Sequence, residues 1–153
     1  MTHSSEITPS NDPSMARKWD DLLAQAIEAR EFAYAPYSNY KVGAALLTSG
    51  GKLYRGCNIE NASYTPSNCA ERTAIFKAVS EGNREFEAIA VVTSDGGAPC
   101  GVCRQVMREF APNLTVIIGD LAGNYQVYRL PELLPDSFGP ENLGFGYKPS
   151  DDG

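Results

Sequence analysis

Histidine is almost absent: among 153 residues there is one, His3, in a polar N-terminal stretch. Mechanisms that need a histidine base, nucleophile partner or metal ligand are therefore close to excluded. No apolar run approaches the ~18 residues a membrane helix requires, so a membrane-spanning class is not expected. Met1 to Ser14 is Ser/Thr/Pro-rich and has no apolar segment of the kind a secretory signal carries, so a cytoplasmic protein is expected. Positive charge is also scarce. Thirteen basic residues face nineteen acidic ones, for a net charge of −6, and no basic cluster offsets it locally. Such a field repels phosphate backbones and anionic lipids, which excludes a nucleic-acid polymer as the main ligand and leaves small neutral substrates open. Cysteines are few. The four present, in a chain read as unexported, suggest metal ligands or buried residues before disulfides.

What remains is ordinary globular composition, 42% apolar and 21% charged, in a chain too short for two cores and a linker. The expectation is a disordered leader over 1–14, one folded domain over 15–140 and a partly mobile tail over 141–153. Trp19, Leu22, Leu23, Ala26 and Ile27 recur at helical spacing and predict an amphipathic helix over 15–33. Val42 to Leu47 predicts a strand, Ser49-Gly50-Gly51 a hairpin turn, and 52–57 its partner. Asn58 to Asn68 reads as a loop leading into a helix over 69–81, stopped by Gly82-Asn83. Ala88 to Thr93 is an apolar run suited to a buried strand, followed by the loop Asp95-Gly96-Gly97-Ala98-Pro99. A third helix is predicted from Cys100 to before Pro112, with Val102, Val106, Met107 and Phe110 as its apolar face. Strands over 114–118 and 125–129 complete the set, and after Pro131 only isolated anchors such as Leu133, Leu134, Phe138 and Phe145 are expected. Strands alternating with helices after an opening hairpin indicate an α/β domain, a three-layer α/β/α sandwich with a mixed sheet of about five strands.

The chemistry concentrates at two predicted helix starts, Cys69-Ala70-Glu71 and Pro99-Cys100-Gly101-Val102-Cys103. Cys100 and Cys103, three positions apart, lie on neighbouring turns, so one Zn²⁺ can take both thiolates at ~2.3 Å, with Cys69 as the third ligand. Helix N-termini carry positive partial charge and favour thiolate over thiol. Three protein ligands leave one tetrahedral position open, the catalytic arrangement in which the ion acidifies water. The competing arrangement is a closed structural site in which Cys57 supplies a fourth thiolate. Cys57 falls within a predicted strand and belongs to no paired Cys-x-x-Cys half-site, which favours a core role for it.

Over about residues 16–140 the sequence resembles the small, homotetrameric, zinc-dependent class of cytidine deaminases. The resemblance rests on Tyr34-Ala35-Pro36-Tyr37-Ser38, Cys57-Asn58-Ile59-Glu60-Asn61-Ala62-Ser63-Tyr64, Cys69-Ala70-Glu71-Arg72 and Pro99-Cys100-Gly101-Val102-Cys103-Arg104-Gln105. A glutamate two residues after the first ligand and a later Pro-Cys-x-x-Cys are the known pattern of zinc deaminases. The first ligand here is cysteine rather than histidine, which matches the free-nucleoside branch better than the polymer-acting ones.

The resemblance implies hydrolytic deamination of cytidine and deoxycytidine, with Zn²⁺ as cofactor and Glu71 as proton shuttle. It implies that Asn58 and Glu60 bind the ribose hydroxyls, that the Ala70 N–H meets the pyrimidine 2-oxo group, and that Tyr40 takes the stacking position usually held by phenylalanine. A tyrosine there keeps the stacking face, and its added hydroxyl needs a partner. Zn²⁺ with three thiolates carries a net negative charge that opposes ionisation of water, so something must drain it. Arg72 and Arg104 directly follow ligands and are candidates to hydrogen-bond the sulfurs; the resemblance implies that role for Arg72 and places Gln105 nearby. It further implies a homotetramer in which Tyr64 and Phe138 enter a neighbouring subunit's site. Two other readings compete. A zinc-stabilised binding module would use all four cysteines and ignore Glu71, and deaminases of aminonucleoside antibiotics share the zinc motifs but lack the Asn-x-Glu pair present here.

Overall fold

The computed structural model describes residues 12–145; His3 and most of the expected leader lie outside them. The first helix, α1 (Pro13–Arg30), begins earlier than its apolar periodicity predicts. Pro13 has its ring-fixed φ suited to the first turn, and the Asp12 carboxylate accepts from the Ser14 N–H at 2.9 Å, so residues 12–14 form a cap rather than part of a leader. The strands β1 (Gly43–Thr48) and β2 (Leu53–Cys57) follow as a hairpin. Then come α2 (Ala70–Ser80), β3 (Phe86–Val92), α3 (Gly101–Phe110), β4 (Thr115–Gly119) and β5 (Tyr125–Arg129). The fold is the expected α/β one.

The five strands form one sheet in the order β2-β1-β3-β4-β5, in which only the β3–β4 pair is parallel. Period-two alternation divides the strand residues between two cores. Ala45, Ala88, Ala90, Val92 and Ile117 meet Trp19, Leu22, Leu23 and Ala26 of α1. On the other face, Ala44, Leu46, Ile89, Val91 and Val116 meet Ile75 and Ala78 of α2 and Met107 of α3. Helices thus cover both faces of the mixed sheet, giving three layers. Small residues bring these layers close. A Cβ on Gly43 would stand 2.0 Å from the Ala26 carbonyl, and one on Gly56 would stand 2.3 Å from the Ala70 carbonyl, so α1 and α2 lie directly against strand backbone.

Two departures from the expected elements have plain causes. Within α3 the buried positions are Cys103 and Met107, while Val102, expected on the apolar face, is exposed. After β5 the chain enters a short helix, α4 (Leu130–Leu133), rather than an irregular tail, and Pro140–Leu143 forms a 3₁₀ turn. Pro131 reads as a breaker by composition but sits in the first turn, where its missing N–H costs no helical bond. The Glu132 carboxylate accepts from the Arg129 N–H at 3.0 Å and completes the start. Leu130, fully buried, is the anchor of this segment.

Sheet direction sets up the site. Because β2 and β3 are each antiparallel to the β1 strand between them, they run the same way. The segments leaving their C-terminal ends, 58–69 and 93–100, therefore emerge at one edge of the sheet and deliver the N-termini of α2 and α3 side by side. Ligands of open α/β sheets bind outside such strand ends.

Candidate active site

Cys69 and Cys100 occupy the N-cap positions of α2 and α3, and Cys103 lies in the first turn of α3. No cap side chain bonds either helix start, so the free N–H groups there favour negative charge on the sulfurs. The three Sγ atoms lie within 4.8 Å of one another, and those of Cys69 and Cys100 are 3.8 Å apart. Tetrahedral Zn–S bonds of ~2.3 Å place sulfurs about 3.8 Å apart, so this donor set suits zinc in both spacing and softness. Cys57 is not in the group: it is half-buried at the end of β2, its carbonyl accepts from the Thr73 hydroxyl, and burial pushes its thiol above the usual range.

Charge is unevenly shared among the sulfurs. The Cys69 thiol is held down to about 5, first because its sulfur accepts from Cys103 and then because it accepts from Arg72. The same Cys103–Cys69 bond, together with burial, pushes Cys103 up. Arg72 donates through Nη2 to Cys69 Sγ at 3.3 Å, whereas its Nε is buried without a hydrogen-bond partner. Arg104 does not share this role. Its guanidinium donates to the Pro99 carbonyl at 2.8 Å and the Leu133 carbonyl at 2.7 Å, tying the zinc loop to α4.

Beside the sulfurs opens a cleft of about 480 Å³, the size of a small-molecule site. Glu71, Asn58, Glu60, Tyr40, Cys69, Arg72 and Cys100 all line it. Glu71 is 3% exposed, and burial raises its carboxyl above the usual range, assisted by the negative sulfur of Cys69. Ala70 is fully buried as the first residue of α2, so its N–H is among those a helix leaves unpaired.

Asn58 and Glu60 lie beyond β2 on an extended segment, where Ile59 bridges Tyr34 and Asn68. Two residues apart, they face the same cleft. Asn58 also braces its wall: Oδ1 accepts from the Val42 N–H at 2.9 Å, and Nδ2 donates to the Tyr40 carbonyl at 2.8 Å. One amide hydrogen and one oxygen lone pair remain for a ligand. Glu60 accepts from the Tyr37 and Ser38 N–H groups at 3.0 Å each and from the Ser38 hydroxyl. The Ser38 hydroxyl is the main reason its carboxyl is held below the usual range, so it is ionised at neutral pH.

Gln105 stands outside the cleft, and Tyr64 and Phe138, expected in a neighbouring subunit's site, have these places within their own chain. Gln105 lines a separate cavity with Phe138, whose carbonyl accepts from Gln105 Nε2 at 2.9 Å; within one chain it fastens the tail to α3 rather than facing the cleft. Phe138 lines that same cavity and is 57% exposed. Tyr64, expected to reach a neighbouring subunit, borders the cleft of its own chain and is 86% exposed. Sequence reasoning also left out Thr93, Gly97 and Val91, which line the cleft from β3 and the zinc loop. Asp95 was passed over as well: it receives the Tyr40 hydroxyl, and the one pointer to it was that this hydroxyl needs an acceptor.

Comparison with known proteins bears on the same residues. The family model for the cytidine and deoxycytidylate deaminase zinc-binding region matches residues 17–119. The chain is 55% identical over 125 residues to the cytidine deaminase of Halalkalibacterium halodurans, covering 80% of this chain and 95% of that protein. It is 49% identical over 129 residues to the cytidine deaminase of Sporosarcina psychrophila, covering 82% and 95%. The crystal structure of cytidine deaminase from Burkholderia pseudomallei superimposes with a TM-score of 0.74 at 55% identity, covering 77% of this chain and 97% of that one.

Proposed function

The chain belongs to the cytidine and deoxycytidylate deaminase family, and from that premise we propose that it hydrolyses cytidine and 2′-deoxycytidine to uridine and 2′-deoxyuridine with release of ammonia. The observation that carries this reading is a buried carboxylic acid, Glu71, in one cleft with a three-sulfur group and with Asn58 and Glu60. Cys69, Cys100 and Cys103 would hold one Zn²⁺, which when bound supplies the Lewis acidity that makes water a nucleophile near neutral pH.

The remaining chemistry falls to side chains. Glu71 takes a proton from the attacking water and passes it to N3 of the pyrimidine as oxygen adds at C4. It then takes the remaining proton from the new C4 hydroxyl and delivers it to the amino group, which leaves as ammonia while the C4 carbonyl forms. A carboxyl raised by burial suits this exchange, because its proton affinity is closer to that of the groups it serves. Arg72 donates to Cys69 and withdraws charge from the sulfur, which strengthens the Lewis acid. Asn58 and Glu60 receive the ribose hydroxyls, the Ala70 N–H meets the 2-oxo group, and the Tyr40 ring stacks on the base. An ionised Glu60 at the sugar end disfavours a 5′-phosphate or a continuing polymer.

Assembly belongs to the same reading. Exposed Phe138, held on α3 by Gln105, completes the cleft of a neighbouring subunit in a homotetramer, excluding water from the base. Incubation of the purified protein with cytidine, followed by the ultraviolet change to uridine, tests the activity. Absence of turnover by zinc-loaded protein would refute it.

A further inference from the structure

Tyr40 is held at both ends. Its backbone is fixed from the sugar side of the cleft: its N–H donates to the Ser38 hydroxyl at 3.0 Å, and its carbonyl accepts from Asn58. Its hydroxyl donates to Asp95 Oδ1 at 2.6 Å, fifty-five residues further along the chain. Asp95 is itself fixed, since the same oxygen accepts from the Thr93 hydroxyl at 3.0 Å and the Gly97 N–H at 3.2 Å. That N–H also donates to Thr93 Oγ1 at 2.7 Å. The ring lines the cleft, but Asp95 does not; it borders an adjoining groove with Asp120 and Tyr125.

Space around the hydroxyl is tight. A Cβ on Gly97 would lie 2.6 Å from Tyr40 Oη, inside contact distance. An aromatic ring at a cleft mouth, 39% exposed, would otherwise lose rotamer freedom on each binding event. A charged acceptor at its far end removes that freedom beforehand and makes the ring a preformed wall.

We propose that Asp95 is a positioning residue for nucleoside binding, which it serves by holding the Tyr40 hydroxyl and so fixing the ring against the cleft. The inference rests on the deaminase reading for the identity of the ligand. It also assigns a purpose to the Asp-Gly-Gly run of the zinc loop: Asp95 supplies the acceptor, and Gly97 supplies room for the hydroxyl.

The test is a set of variants read by cytidine kinetics and by calorimetric binding of uridine, with zinc content measured alongside. Asp95→Ala should raise KM for cytidine and Kd for uridine roughly three- to tenfold, the worth of one hydrogen bond, with kcat little changed. Asp95→Asn keeps an acceptor and should recover most of the loss. Tyr40→Phe should weaken binding similarly, and adding Asp95→Ala to it should change nothing further. Gly97→Ala should weaken binding in the unmodified protein but not beside Tyr40→Phe, where the oxygen it would strike is gone. If Asp95→Ala loses zinc or fails to fold, the Gly97 and Tyr40 pair carries the test alone. Unchanged binding in Asp95→Ala, multiplied effects in its double variant with Tyr40→Phe, or persistence of the Gly97→Ala effect beside Tyr40→Phe would overturn the inference. Absence of cytidine turnover by the unmodified protein would overturn the deaminase reading and this inference with it. Cytidine turnover by the unmodified protein, with a KM and a uridine Kd that do not depend on Asp95, would overturn this inference alone.

Discussion

The Arg72 guanidinium lies one turn along α2 from Cys69 and donates to its sulfur at 3.3 Å. In the proposed site this bond would draw negative charge from a sulfur that would otherwise donate it to the metal. Arg72→Ala should therefore lower turnover about 10- to 100-fold, the usual cost of losing a partner behind a metal ligand. Metal analysis beside steady-state kinetics separates weakened zinc affinity from slowed chemistry. Wild-type turnover in the variant would remove Arg72 from the mechanism.

Glu71→Gln replaces the proposed proton carrier with an amide of the same shape in a buried position. Zinc content and melting temperature should be kept, while kcat falls by roughly two to four decades, the contribution of a positioned proton-transfer group. Near-wild-type turnover would require another base.

The four cysteines should divide three to one in a zinc assay. Cys103→Ala removes a fully buried sulfur from the group and should abolish stoichiometric binding. Cys57→Ala should leave zinc unchanged and lower stability by about 1 kcal/mol, typical of a point mutation. Zinc loss from Cys57→Ala would instead favour the closed, four-thiolate arrangement.

Discrimination between nucleoside and free base should depend on Glu60. Cytosine and cytidine 5′-monophosphate should be poor substrates beside cytidine, because a site built for hydroxyls is left with unpaired polar groups, a loss of up to several decades. Glu60→Ala should narrow the cytidine-to-cytosine ratio of kcat/KM. Equal use of both by the unmodified protein would sink the ribose assignment.

Assembly can be tested at the tail. Phe138→Ala should raise KM or weaken association while zinc content stays intact, since Phe138 lines a cavity separate from the cleft beside the chain's own sulfurs. Sedimentation of the unmodified protein should give a tetramer, and a fully active monomer at assay concentration would refute the shared site.

Much of the fold was legible because its signals are local. The apolar run Val42 to Leu47, and the helical spacing of Trp19, Leu22, Leu23 and Ala26, each report burial within a few residues. Where a signal carried two meanings, reading by composition chose the commoner one. The prolines and glycines after Pro131 suggest a tail with isolated anchors, although Pro131 itself lies in the first turn of α4. Val102 was counted on the apolar face of α3, although Cys103 occupies the buried position.

The sequence alone determined the two cysteine motifs, their place at two helix starts, and the pairing of Asn58 with Glu60, since spacing within a motif is fixed by covalent geometry and helical period. That Cys69 joins Cys100 and Cys103 while Cys57 stays apart was decided by the sheet that brings the two helix starts together. Only the tertiary structure decided what each long side chain reached. It turned Arg104 to the carbonyls of Pro99 and Leu133 while Arg72 kept the sulfur, joined Gln105 to Phe138, and set Asp95 under the Tyr40 hydroxyl. Those partners lie up to fifty-five residues apart. Their meeting depends on the antiparallel run of β1 between β2 and β3, and on helices lying against Gly43 and Gly56, a geometry settled by the packing of the whole sheet rather than by any one segment.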